Sequence, residues 1–215
     1  MSGISEIKYI EFFKKKPYLT KPELSLLLGK KGKNLDKKIS AMLAKGELVS
    51  LKKGLYISQS YLSPEKGRIE EFIANVLYYP SYLSLEYVLW KEGVIPEAVY
   101  NYTSVSSKTT RQFTNDLGTF LYRYIKPTLF TGFNYILFSE NYRVKIASRA
   151  KALFDFLYLR PLGRSDKSVS RILSDLRINW ENITSNDLEE FERYTILSKS
   201  PKMKLILKIL ERREL

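Results

Sequence analysis

The sequence predicts an α+β protein: an N-terminal winged helix-turn-helix, followed by a larger α/β domain with a mixed or antiparallel sheet and a helical C-terminal tail. Three observations lead there. Residues 20–45 hold two stretches of helical apolar spacing, each with its own start and stop signal. Residues 47–58 alternate in the strand manner about a Lys-Lys-Gly turn. Aromatic and β-branched segments between residues 98 and 147 then give way to helical periodicity. The implied division is residues 1–60 and residues 65–215, the latter with an α/β core over 65–160 and a helical tail over 165–215.

The elements follow in order. Ile4, Ile7, Ile10 and Phe13 fall at helical spacing, so residues 4–15 read as a helix that Pro17 ends. Thr20, Pro22 and Glu23 have the form of a capping box opening a second helix, buried through Leu24, Leu27 and Leu28 and stopped by Gly29. Lys30-Lys31-Gly32-Lys33-Asn34 reads as a polar turn. A third helix runs from about Leu35 to Lys45, with Leu35, Ile39, Met42 and Leu43 inward. Strands over about 47–51 and 54–58 flank the turn Lys52-Lys53-Gly54 as a tight hairpin.

Residues 61–67, with Pro64 and Gly67, read as a linker. A helix is expected from residue 64 or 65 to Tyr78, broken by Pro80. Ser84 caps a short helix reaching about Lys91. Residues 98–105, 119–125, 129–138 and 142–147 have strand character. Helices are expected over 148–159, 165–177, 186–196 and 201–213. No repeat and no glycine-rich phosphate loop is present.

Composition narrows the chemistry. The chain contains no cysteine and no histidine, which removes disulfides, Cys/His zinc sites, thiolate nucleophiles and serine–histidine arrangements. Catalysis and cofactors are therefore not expected. Arg149, Lys151 and Asp155 break the longest apolar stretch, which falls short of the roughly 20 apolar residues of a membrane span. The first residues carry Glu6 and Glu11 and do not read as a signal peptide, so a cytoplasmic location without membrane association is expected. Residues 1–60 hold 13 lysines, no arginine and five acids, a net +8 out of the +13 of the whole chain. Charge gathered on one small module implies a polyanionic partner, with duplex DNA foremost and a solvated face as the plain alternative.

In a helix-turn-helix the second helix of the unit enters the major groove. With its apolar side inward, the helix over 35–45 turns Lys33, Lys37, Ser40, Ala41 and Ala44 outward, with Asn34 and Lys38 at the margins. Asn34 has the donor–acceptor pair for adenine, and Lys33 or Lys37 can meet guanine or phosphate; Asn34 is equally suited to cap the helix. Lys30 and Lys31 in the turn, and Lys52 and Lys53 at the hairpin tip, suit phosphate. In the larger domain Arg111, Arg123, Arg149 and Lys151 mark a weaker cationic surface for an acidic partner: a tRNA-like nucleic acid, a nucleotide or another protein.

Several segments together resemble one family. Lys53-Gly54-Leu55-Tyr56 resembles the wing of AbiEi-like antitoxins. Residues 80–89 (PSYLSLEYVL), 93–97 (GVIPE), the pair Thr103-Ser104, 118–133 (GTFLYRYIKPTLFTGF) and 146–159 (IASRAKALFDFLYL) are similar to further stretches of that family, in the same order. Arg149-Ala150 stand where the family pattern has Pro-Glu, and beyond residue 165 only helical character and residues 179–183 (NWENI) match. The resemblance implies the antitoxin of a type IV toxin–antitoxin system: a winged-helix autorepressor of its own operon, whose C-terminal domain counters a separately encoded nucleotidyltransferase toxin without requiring a stable complex.

Two other readings stay open. A winged-helix module can bind RNA or protein, and Tyr122, Tyr124 and Tyr135 on strands would suit base stacking, although their alternation fits core packing better. A metal-dependent nuclease needs acids beside a lysine, but Arg143 and Arg149 occupy the acidic positions before Lys145 and Lys151. Asp155 reads as a surface or capping residue.

Overall fold

A computed structural model describes residues 16–62, 69–163 and 165–212. The helix expected over 4–15, the start of the one expected from residue 64 or 65, and the last residues of the tail lie outside this range. Chain contacts divide the protein into two compact units, Met1–Ile69 with Phe113–Leu117, and Glu70–Gln112 with Gly118–Leu215. The described residues form a mixed α/β structure with two sheets.

In the first unit, β1 (Leu19–Thr20), α1 (Lys21–Leu28), α2 (Gly32–Ala44), β2 (Leu48–Lys52) and β3 (Leu55–Ser58) follow one another. The strands form an antiparallel sheet in the order β1-β3-β2. The start of α1 is the expected capping box: the N–H and hydroxyl of Thr20 donate to the Glu23 carboxylate at 2.8 and 2.7 Å. Leu19, Leu24, Leu28, Leu35, Ile39, Met42 and Leu48 make one buried cluster, so the helical spacing read from the sequence is the spacing of the core.

The turn between the two helices is shorter than expected. Gly29 ends α1 at φ 60, and α2 begins at Gly32 with Lys31 in the N-cap position. Lys33 and Asn34 are therefore helical, and Asn34 is not the cap. The first turn of α2 is exposed, so solvent can satisfy its free N–H groups without a side-chain acceptor.

The second unit holds α3 (Ile69–Leu77) from Glu70 on, β4 (Ser81–Leu83), α4 (Leu85–Lys91), β5 (Tyr102–Ser106), the start of β6 (Arg111–Asn115), whose residues from Phe113 on belong to the first unit, β7 (Gly118–Tyr124), β8 (Phe133–Ser139) and β9 (Tyr142–Ala147). Then come α5 (Arg149–Leu159), α6 (Asp166–Asp175), α7 (Ser185–Ser198) and α8 (Pro201–Glu211). The sheet is mixed, in the order β6-β7-β5-β4-β9-β8. β5 pairs parallel with β7, and β4 parallel with β9, while β4–β5 and β8–β9 are antiparallel. Residues 98–101 and 130–132 lie outside strands, and Pro127–Leu129 makes a single tight turn. β4 and β6 were not expected. Among the described residues no helix is long and apolar enough to cross a membrane.

Register fixes which side chain faces which layer. Tyr122, in line with Ser104 and Leu83, faces α3, and its hydroxyl donates to Ala74 O at 2.6 Å. Phe138 stacks on Phe72 of α3 at 4.7 Å, and the Asn75 side chain bonds the backbone N–H and C=O of Lys145. On the opposite face Tyr82, in line with Val105 and Arg123, meets α5.

That opposite face corrects two expectations. Lys151 and Asp155 lie on no surface: both are fully buried and ion-paired within one helix turn. Tyr82 Oη and Ser84 Oγ donate to Asp155 Oδ2 at 2.9 and 2.8 Å. Ser84 does occupy the N-cap of α4, but its hydroxyl serves Asp155 and not the helix. The rings of Phe154, Tyr194 and Tyr82 surround the Lys151 ammonium at 5.0, 5.2 and 5.7 Å. Burial pushes Lys151 down and Asp155 up, and each ion draws the other back. All of Ala150–Leu157 is buried, so a charge anywhere in that run needs a partner.

Removing one member strands the other in an apolar site. Lys151→Met should therefore cost about 3–5 kcal/mol in a denaturant melt, and Lys151→Met/Asp155→Asn should recover part of that. A double variant no more stable than the single one would contradict the pairing.

Candidate nucleic-acid interface

The fold of the first unit puts two faces on α2. Leu35, Ile39 and Met42 are buried, whereas Lys33, Asn34, Lys37, Ser40, Ala41 and Ala44 are exposed. At 100° per residue, positions 33, 37, 40, 41 and 44 share one stripe. It bears two cations, a hydroxyl and two alanines small enough to let a helix sink into a groove. Lys38 is half-buried at the margin. Lys30 and Lys31 are exposed in the link before α2.

Among the described residues no ion pair involves Lys30, Lys31, Lys33, Lys37, Lys38 or Lys53. The acids near them are otherwise engaged: Asp36 pairs with Lys21 at 2.5 Å, and Glu23 with Lys16. Burial works against the Glu23 charge, yet the bonds from Lys16 and Thr20 hold its carboxyl below the usual range. Glu23 and Asp36 are thus tied to the frame, while the lysines of α2 and of the link before it point outward.

The β2–β3 turn separates its two lysines. Lys53 is exposed beside Gly54, whose φ of 76 the tight turn requires. Lys52 is half-buried, its ammonium 5.5 Å from the Phe113 ring, which leaves it less free to follow a phosphate.

In the second unit the four predicted cations part company. Arg111 and Arg123 are exposed on β6 and β7. Arg149 is half-buried and donates from Nε and Nη2 to the one oxygen Oδ2 of Asp187 in α7, at 2.9 and 2.6 Å, and Lys151 belongs to the core. They do not form one surface, because α5 is buried nearly all round. Tyr122 is core, as its alternation suggested, but Tyr124 and Tyr135 are 46% and 57% exposed. Among the described residues no three acidic side chains are placed to hold a metal.

The sequence missed Arg160. It follows α5, and its guanidinium carbon lies 4.2 Å from the centre of the Phe156 ring. The i, i+4 spacing to Phe156 was the available signal. Arg123 lines the same cleft as Arg160, together with Leu85 and Glu86.

A comparison of the sequence with models of known families finds no match, and neither does a comparison with characterised proteins.

The Arg149–Asp187 pair carries a pH dependence. Burial opposes the Asp187 charge, but Arg149 and the Thr184 N–H and hydroxyl hold its carboxyl below the ordinary value. A depressed folded-state pKa gives stability that is present above the unfolded value of about 3.9 and is lost as pH falls through the folded one. Acid melts below about pH 4 should therefore destabilise the wild type more steeply than Arg149→Gln. Parallel pH profiles for the two proteins would disprove the role of this pair.

Proposed function

We propose that the chain is a duplex-DNA-binding regulator whose first unit works as a winged helix-turn-helix, with α2 as the recognition helix and the β2–β3 turn as the wing. The observation that carries this reading is the division of α2: an apolar stripe locked into the core and, opposite it, a lysine stripe with two alanines, bordered by Asp36, whose carboxylate is paired with Lys21. A solubility face has no need of small residues between its charges, whereas a helix in a major groove does. Lys53 extends the cationic surface to the hairpin tip, where wings meet backbone phosphate.

The motif resemblance narrows the reading to an AbiEi-like antitoxin that represses its own operon from the cytoplasm. In that reading the second unit counters a nucleotidyltransferase toxin without performing a reaction. The buried state of Lys151 and Asp155 supports a non-catalytic role, because this pair of opposite charges is out of reach of any substrate.

Full-length protein titrated with its own promoter fragment, and with a shuffled one, tests the proposal. With roughly four to six phosphate contacts, log affinity should fall with log salt at a slope of about −4 to −5. Asn34→Ala and Lys37→Ala should lower the preference for the promoter, each by about 1–3 kcal/mol. Lys53→Ala should weaken both sequences alike, and Lys52→Ala should act less than Lys53→Ala. A flat salt dependence, or a Lys37→Ala variant as selective as wild type, would defeat the proposal. A strain carrying the toxin separates the two roles: Lys37→Ala should lose repression and keep rescue of growth.

A further inference from the structure

The turn Ser84–Leu85 is both strained and pinned. Leu85 sits at φ 62, a left-handed conformation that a branched side chain adopts only where its surroundings dictate it. Here they do. Ser84 N–H donates to Thr103 O at 3.1 Å, Thr103 Oγ1 donates to Ser84 O at 2.7 Å and accepts from Tyr87 N–H at 2.9 Å, and Ser84 Oγ donates to Asp155 Oδ2 at 2.8 Å. The strained residue is a wall of two adjoining cavities of about 490 and 380 Å³, and Glu86 and Arg123 line both. The larger is completed by Phe156, Leu159, Arg160, Pro161 and Ile172.

Its charged groups are placed by the fold. Arg123 projects from β7 on the face that bears Tyr82 and Val105, opposite to Tyr122. Arg160 is held from two sides. Its guanidinium lies against Phe156, and the Lys202 ammonium donates to the carbonyls of Leu157, Tyr158 and Arg160 at 3.1, 2.6 and 2.9 Å, fixing the end of α5. Glu86 stands 3.6 Å from the Arg160 guanidinium with both groups more than a third exposed, a loose pair that a stronger acceptor can displace.

Two guanidinium forks, an aromatic and aliphatic wall and one carboxylate acceptor define a ligand with a small polyanionic end, a flat apolar body and a donor between them. We infer that this cleft binds a nucleoside monophosphate. Arg123 and Arg160 take the phosphate, because the planar guanidinium matches its oxygens in pairs. Phe156, Leu159 and Ile172 flank the base. Glu86, released from Arg160, accepts from a sugar hydroxyl or an exocyclic amine. The volume falls within the 300–1,000 Å³ usual for small-molecule sites. This goes beyond the DNA-binding reading and does not depend on it.

Calorimetric titration of the full-length protein with AMP, GMP, CMP and UMP, beside adenosine, uridine and inorganic phosphate, tests the inference. At least one monophosphate should bind at one site per chain, with the nucleosides and inorganic phosphate each roughly 10-fold weaker or worse. Arg123→Gln and Arg160→Gln should each weaken it by roughly 10-fold or more, while Lys33→Gln/Lys37→Gln leaves it unchanged. Arg123 is exposed, so its variant should melt as wild type does and decides the matter even where Arg160→Gln folds poorly. Binding of none of the four nucleotides overturns the inference. So does binding that Arg123→Gln leaves within about twofold of wild type, or that the lysine double variant abolishes. DNA affinity, read from the Lys37 variants, stands or falls separately.

Discussion

The buried pair of Lys151 and Asp155 sets terms that the rest of the second unit has to meet. Two opposite charges without solvent are tolerated only if every remaining lone pair and proton finds a partner. Asp155 gathers Tyr82 and Ser84 from the chain around β4, and Lys151 draws three aromatic rings about its ammonium. Tyr194 reaches that cluster from α7 and is itself held by Glu190. The packing leaves no room at Gly132: a Cβ there would come within 2.2 Å of the Tyr194 hydroxyl and 2.9 Å of Lys151 Cδ, and the residue's φ is 77. Replacing the pair by hydrophobic residues would be the cheaper way to fill such a core. Its retention is understandable as a fixing of register, since only one sliding position of α5 over the sheet satisfies Asp155 from both Tyr82 and Ser84.

What was legible in the sequence follows from how each signal arises. The capping box at Thr20–Glu23 is local chemistry with a fixed spacing, so it reads directly. The apolar stripe of α2 is equally local, but its start was not: the first turn, Gly32-Lys33-Asn34, has no apolar residue and no side-chain cap. β4 escaped notice because three consecutive buried residues show no alternation. β6 escaped because a strand with little buried surface has no apolar side to betray it. Asp155 was misread because Lys and Asp four apart on a helix usually mark a solvated face. The contrary signal was present, for Ala150–Leu157 is otherwise apolar around the whole circumference, and a helix of that kind is enclosed.

The cations sort by chemistry as well as by place. Residues 1–60 carry lysine and no arginine. Lysine is a compact, hydrated point charge on a flexible stem, suited to following phosphates along a backbone whose exact geometry varies. In the second unit Arg149 takes one Asp187 oxygen with two nitrogens, and the Arg160 guanidinium lies over the Phe156 ring, its carbon 4.2 Å from the centre. Substituting lysine at either place would preserve the charge and lose the plane.

The core and the cleft meet at one dipeptide. Ser84 closes the hydrogen-bond set of Asp155, and the next residue, Leu85, is forced through a left-handed turn onto the wall of the cleft. Its strain is sustained because the neighbouring bonds to Thr103 and Asp155 leave the backbone no easier path. That order of cause matters. Relaxing Leu85 would disturb the hydrogen bond that the adjoining Ser84 gives to a buried carboxylate, a loss of the same order as the strain itself. The cleft is therefore preorganised by the same pair that orders the core. Its shape needs no ligand to create it, and a ligand that fits meets little reorganisation cost on binding.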